Sequence, residues 1–297
     1  MLIESVPNVS EGRRVDVIRG LGDAIRRVRE VRLLDVSSDR SHNRSVYTLA
    51  GEPDALAAAM AALVERAAAE IDLTEHEGVH PRIGAVDVIP FIPLRDVTMD
   101  TCIALAERVG RLVADRFGIP VFLYGQAARA PACRTLAALR RGGLRGLTDR
   151  MATGECLPDF GPRRPHPTAG ACAVGARPVL IAYNINLDSD RLDVARAIAS
   201  AIRGSNGGLP HLQAMGVRLA ERGLVQVSTN VTDYKATPLE AVFDAVRAEA
   251  ERHGVAVRDS ELVGLAPAAA LTPETAQAIR LPSFDPQMIL EHQLGGL

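Results

Sequence analysis

The chain has 297 residues, 47% of them hydrophobic, and Lys+Arg 34 against Asp+Glu 36 leaves a formal charge of -2. That length can bury a core for two packed subdomains, and that charge balance offers a polyanion such as nucleic acid no global attraction. Cys102, Cys133, Cys156 and Cys172 are widely spaced without a C-x-x-C, no apolar run approaches the ~20 residues of a membrane span, and the start lacks a signal-peptide pattern, so reduced thiols, no membrane association and a cytoplasmic setting are expected.

Leu2 to Val6 reads as a short strand, and Val15, Ile18, Leu21, Ile25 and Val28 recur at helical spacing behind Ser10 and Glu11. Val31 to Val36 and Val46 to Ala50 are rich in branched and aliphatic residues and predict two more strands, joined by the polar segment SSDRSHN. Pro53 stands where a first-turn proline belongs, and the Ala-rich run to about Ile71 predicts a second helix. Ile83 to Phe91 completes βαββαβ. A helix from Thr98 to about Phe117 and a strand at Val121 to Tyr124 extend this half. From about Arg140 to Arg177 the chain is rich in Gly, Pro and Arg without periodicity, which predicts a long loop.

The pattern restarts after Pro178. VLIAYNI predicts a strand, Leu192 to Ile202 a helix, Leu212 to Leu219 and Leu224 to Val231 a hairpin across ERG, a helix starts near Pro238, and Val255 to Leu265 returns as a strand. This too is βαββαβ. The expectation is an α+β protein of two ferredoxin-like subdomains, residues 1–177 and 178–297.

His76-Glu77-Gly78-Val79-His80 matches the H-E-x-x-H pattern of zinc proteases. That pattern needs a helix to bring positions i and i+4 onto one face. Gly78 inside it and Pro81 after it predict a helix exit or loop, so no metal is expected. A loop histidine entering a strand suits a general acid or base, although a solvated or capping histidine has the same pattern. Asp39, His42, Asn43 and Arg44 cluster between two strands, near Asn8, Ser10 and Glu11, in segments where sites accumulate but where turn and cap bonds are equally at home. Arg163, Arg164, His166 and Arg177 offer a further basic group. Nearly every base is arginine, Lys235 excepted, and guanidinium forks suit carboxylates.

VPNVSEG, LLDVSSDRSHNRSVYTLAG, HEGVHPRIGAVDVIPFIPL, VTMDTC, VFLYGQAAR, LPDFGP, LIAYNINL, QVSTNVTDY and LVGLAP occur in this order and span nearly the whole chain. Together they resemble the formiminotransferase domain of formiminotransferase-cyclodeaminase. The resemblance implies transfer of a formimino group between L-glutamate and tetrahydrofolate as co-substrate, at the end of histidine degradation. It also implies two subdomains whose sheets face each other across a folate tunnel, and a homodimer or larger assembly. The family's catalytic histidine falls on His80, and its folate-contacting stretch on about Phe160 to Gly170, including Gly161. Val79 stands where the family often has Glu, the segment after LPDFGP diverges, and a cyclodeaminase would be a separate protein. Given that chemistry, Arg44, Arg82 and Arg177 are candidate carboxylate partners, Asp39 could orient the base or the substrate amine, and Asn8 and Asn43 are candidate binding residues. Two other readings keep the fold: a formyl transferase acting on N-formylglutamate or 5-formyltetrahydrofolate, and a noncatalytic folate-binding module.

Overall fold

The computed structural model describes residues 1–295. It separates into two compact units, Met1–Arg177 and Pro178–Leu297. The first contains β1 (Leu2–Ser5), β2 (Asn8–Val9), α1 (Val15–Arg26), β3 (Val31–Asp39), β4 (Arg44–Gly51), α2 (Pro53–Glu70), β5 (Val86–Arg95), α3 (Met99–Phe117), β6 (Val121–Gly125), α4 (Leu136–Leu139), α5 (Gly143–Thr153) and β7 (Cys172–Ala176). The second contains β8 (Ile181–Leu187), α6 (Leu192–Ile202), β9 (Leu212–Leu219), β10 (Leu224–Val231), α7 (Leu239–Arg252), β11 (Val257–Val263), α8 (Pro273–Ala278) and α9 (Leu290–Leu294).

In the first unit β1 and β2 behave as two halves of one interrupted strand, since both lie between β4 and β5 and pair antiparallel with each. With β3 outside β4, this is the ferredoxin-like arrangement, and β5 then continues through β7 to β6. The second unit has the same logic in four antiparallel strands ordered β11-β8-β10-β9. Both halves are therefore ferredoxin-like α+β units, the first enlarged by a parallel extension.

Local sequence explains the elements. The Glu11 carboxylate accepts from the Arg13 and Arg14 amides at 2.8 and 2.9 Å and so fixes the turn that leads into α1, whose Val17, Leu21 and Ile25 are buried. Pro53 opens α2, where a missing amide costs nothing. Thr98 caps α3, which stops at Gly118 with φ 65°. One face of the first sheet packs Tyr47, Leu49, Ile89, Phe91 and Val174 against α1, α2 and α3. Burying side chains of this size contributes about 2 kcal/mol each.

The middle segment departs from the long-loop expectation. Residues 143–153 form α5 and 172–176 form β7. α5 buries only Leu147, Arg150 and Met151, too few positions to declare a helical period. β7 is parallel to both neighbours and buried at all five residues, so its small residues CAVGA show no alternation. The second strand also runs beyond its apolar run to Asp39, and the third begins at Arg44. Among the described residues no helix is long and apolar enough to cross a membrane.

Candidate functional site

The site forms where the β3–β4 turn meets the loop after α2. β3 and β4 pair to their ends, with Asp39 opposite Arg44, so the chain reverses through residues 40–43. Asn43 takes φ 48° there, a left-handed conformation that Asn tolerates better than most residues. Its amide reaches both ways: Oδ1 accepts from the Gly12 amide at 2.9 Å, and Nδ2 donates to the Glu77 carbonyl at 2.8 Å. Gly78 allows the 76–80 loop to lie close, because a Cβ there would stand 2.4 Å from the His42 carbonyl oxygen. The Arg82 guanidinium closes the loop by donating to the carbonyls of His76, Gly78 and His80.

Residues 76–80 are an irregular loop, and no helical face joins the two histidines. The His76 ring donates from Nε2 to the Asn43 carbonyl at 3.0 Å. His80 instead turns Nε2 to Arg44, 2.9 Å from a guanidinium nitrogen. A guanidinium only donates, so Nε2 is the acceptor and the ring proton sits on Nδ1. The His42 ring stands edge-on to His80 with centroids 6.0 Å apart.

The surroundings keep His80 neutral. Burial lowers its pKa well below the usual imidazole range, and Arg44, Arg140 and His42 act in the same direction; the Pro81 backbone, accepting from the ring, opposes them. Burial also lowers Arg44, to about 10, helped by Arg140 and opposed by Asp87 and Asp39. A neutral imidazole with a lone pair on Nε2 is the form that can accept a proton.

Arg140 enters from the end of α4. Its Nε and a terminal nitrogen donate to Asp87 Oδ2 at 3.0 and 2.5 Å. The other Asp87 oxygen accepts from the Ile83 and Gly84 amides at 2.6 and 3.3 Å. This pair thus ties the chain just beyond His80 to a fixed cation. Neither residue stood out in the sequence. The available signal for Asp87 was a carboxylate inside the apolar run IGAVDVIPF, since a buried charge requires a partner; Arg140 lies 53 residues away and carries no local signal. His42, in the cluster already noted, gains its interest only from the ring contact.

The expected site residues fall in different places. Arg44 and His80 touch, and Asn43 frames them. Asp39 Oδ1 bonds the His42 amide at 2.6 Å and lies 3.2 Å from its Nδ1. Burial would raise the Asp39 pKa, but the His42 side-chain and amide bonds outweigh it and hold it at about 2. Asn8 donates to the Val6 carbonyl at 3.0 Å, in the break between β1 and β2. Phe160 packs on the helical face of the sheet, its ring 4.7 Å from the Arg111 guanidinium and 5.1 Å from that of Arg129, and Gly161 with φ 86° lies against Ala114. Gly170, with φ 69°, bridges Gly84, so this end of the stretch reaches the strand that follows His80. Arg177 lies beside the buried Tyr124 hydroxyl, which also feels Arg140.

The second unit carries a polar ladder on one face of its sheet. Tyr183, Ile185 and Leu187 enter its core while the alternate Asn184 and Asn186 do not. Gln226 Nε2 donates to Asn186 Oδ1 at 2.9 Å and Glu261 Oε1 at 2.8 Å, Asn186 donates to Asp259 at 2.6 Å, and Asn184 to Glu261 at 3.2 Å. The fully buried Gln226 Oε1 has no partner among the described residues.

The first of two α+β units thus carries a neutral imidazole, His80, bonded to the Arg44 guanidinium, with the Asp87–Arg140 pair beside it. The chain belongs to the formiminotransferase domain family: the family model for its N-terminal subdomain matches residues 2–177, and that for the formiminotransferase domain matches residues 182–280. The chain is 43% identical over 296 residues to the glutamate formimidoyltransferase of Streptococcus pyogenes serotype M1, covering 99% of both chains. It is 42% identical over 295 residues to that of Thermoplasma acidophilum, covering 99% of this chain and 97% of the relative. The formimidoyltransferase-cyclodeaminase of Rattus norvegicus is 41% identical over 276 residues, which are 91% of this chain and 51% of that protein.

Proposed function

We propose that the protein is a glutamate formimidoyltransferase that moves a formimino group between N-formimidoyl-L-glutamate and tetrahydrofolate, with His80 as the general base. The observation that carries the reading is the match, along the whole chain, to stand-alone proteins of that name. The neutral, Nδ1-protonated His80 supplies the matching chemistry.

In the direction that forms N-formimidoylglutamate, the glutamate ammonium gives a proton to His80 Nε2, and the resulting amine attacks the formimino carbon of 5-formiminotetrahydrofolate. A new C–N bond forms and the C=N electron pair moves onto the imino nitrogen. When that pair re-forms C=N, the bond from carbon to folate N5 breaks, and the imidazolium proton returns to N5. The reverse direction uses His80 to take the N5 proton and to protonate the departing glutamate nitrogen. Holding both reactants in line is worth about 7–11 kcal/mol in the best cases, so the step needs no covalent enzyme intermediate.

Arg44 is assigned to a glutamate carboxylate, with Arg177 and the segment Phe160–Gly170 assigned to folate. Arg82, Asn8, Asn43 and Asp39 are assigned to holding these groups in place. A cytoplasmic homodimer acting in histidine degradation completes the reading. The test is turnover of tetrahydrofolate by the purified protein with N-formimidoyl-L-glutamate and, separately, N-formyl-L-glutamate. Turnover with the first is expected; turnover with the formyl compound alone assigns the formyl transferase, and none with either leaves a folate-binding module.

A further inference from the structure

His80 cannot accept a proton in the arrangement described, because its only lone-pair nitrogen is already the acceptor for Arg44 at 2.9 Å. That bond therefore has to break before catalysis, and Arg44 must then find another acceptor. The two carboxylates that act on Arg44, Asp87 and Asp39, are already engaged. Of the neighbouring carboxylates, Asp39 is committed to His42 and Asp87 to Arg140 and two backbone amides. Among the described residues, His80 Nε2 is the one hydrogen-bond partner of the Arg44 side chain. No Arg44 nitrogen is a buried atom without a partner among the described residues, so its remaining donors face accessible space, and a carboxylate is the group that its fork fits best.

We propose that Arg44 is a carboxylate-operated cap on the base: it covers the Nε2 lone pair of His80 until a carboxylate of the arriving amino acid draws the guanidinium away and exposes it. This deepens the assigned reaction by adding a requirement on its substrate. The carboxylate that binds Arg44 also switches on the base, so the amine is deprotonated only when an amino acid is in place. The charged and titratable groups that bear on His80 are Arg44 from β4, His42 from the β3–β4 turn, Arg140 from the end of α4 and Arg82 from its own loop, while Asp39 at the end of β3 and Asp87 of β5 act on Arg44. Of these, Arg44 alone bonds Nε2.

The experiment is an NMR titration of the His80 ring nitrogens and C–H signals, assigned by loss in His80→Asn, with and without glutarate. Glutarate has the two carboxylates of glutamate but no amine to give up a proton. In the wild type, saturating glutarate is expected to move the Nε2 resonance toward that of an unbonded imidazole nitrogen. It is also expected to raise the His80 pKa by about one unit or more, since a cation leaves contact and an anion arrives. In Arg44→Gln the Nε2 resonance should change little with glutarate, and the Michaelis constant for glutamate should rise by at least about tenfold while that for folate changes little. Arg44→Lys, which keeps a charge without the fork, should recover part of the glutarate response.

A wild-type His80 signal unmoved by saturating glutarate would overturn the proposal, as would an equal response in wild type and Arg44→Gln. The titration reads binding rather than turnover. Absence of formimidoyl transfer with an intact glutarate response would remove the assigned reaction and leave the cap, while transfer without that response would remove the cap alone.

Discussion

Asp87 holds Arg140 with one oxygen and the backbone of Ile83 and Gly84 with the other, so one carboxylate fixes both a cation near His80 and the start of the strand after it. Asp87 and Arg140 are 3% and 14% exposed at the side chain. Removing one partner of such a pair leaves a charge without compensation. Asp87→Asn is expected to lower unfolding free energy by about 3 kcal/mol, measured by the denaturant midpoint. The double variant Asp87→Asn/Arg140→Met should recover much of that loss; equal instability of single and double variants would place the effect in the two amide bonds instead.

Replacing the base should separate chemistry from binding. His80→Asn is expected to reduce turnover by roughly 10²–10⁴-fold, the usual contribution of a positioned proton acceptor, with folate affinity within a few-fold of wild type. Fluorescence titration with folate alongside steady-state kinetics checks both. Loss of folding in circular dichroism would mark His80 as structural.

The pH dependence has a definite sign. Burial first, and then Arg44, Arg140 and His42, depress the His80 pKa, so the ring remains an acceptor below the pH at which an ordinary histidine is protonated. The acid limb of kcat/KM for the free enzyme should therefore fall below the usual imidazole range of about 6.5. The same shift acts on stability. Between the folded and unfolded pKa values the unfolded chain binds more protons, so this contribution is complete above about pH 6.5 and is lost as pH falls below it. Asp39 behaves as a depressed carboxylate: its contribution is complete above the unfolded value near 3.9 and lost as pH falls toward about 2. Unfolding midpoints across pH for wild type, His80→Asn and Asp39→Asn check each window.

The contact between the two loops can be probed through Gly78. A methyl group there would stand 2.4 Å from the His42 carbonyl and 3.0 Å from the Asn43 Cβ, and backbone cannot yield cheaply. Gly78→Ala should cost about 1–3 kcal/mol and lower turnover by moving His80 relative to Arg44. Unchanged thermal stability and kinetics would mean that the loop shifts without consequence.

The fold was legible because its strands and helices carry their periods plainly: Ile18, Leu21 and Ile25 recur at helical spacing, although Val15 of that series is exposed and Val17 is buried instead, and Tyr183, Ile185 and Leu187 alternate with Asn184 and Asn186. The segment 143–176 was not, because small residues in a parallel strand and a helix with few buried positions give no period to read. In the site, His80 and Arg44 were conspicuous as polar residues in short loops. Arg140 was not, since its meaning depends on Asp87, 53 residues earlier, and a pairing at that distance exists only once the sheet has formed. The same holds for the Gln226 ladder, whose members come from three strands.

The position of β7 bears on how the first unit is made on the ribosome. β5 and β6 do not pair with each other; β7 lies between them and pairs with both. A nascent chain that has emerged only through residue 170 therefore presents two open strand edges, each able to recruit the wrong neighbour. The five residues Cys172–Ala176 close both at once, so completion of this half waits on the last stretch of it to be synthesised, and a stall just before that point is where aggregation or chaperone capture should concentrate.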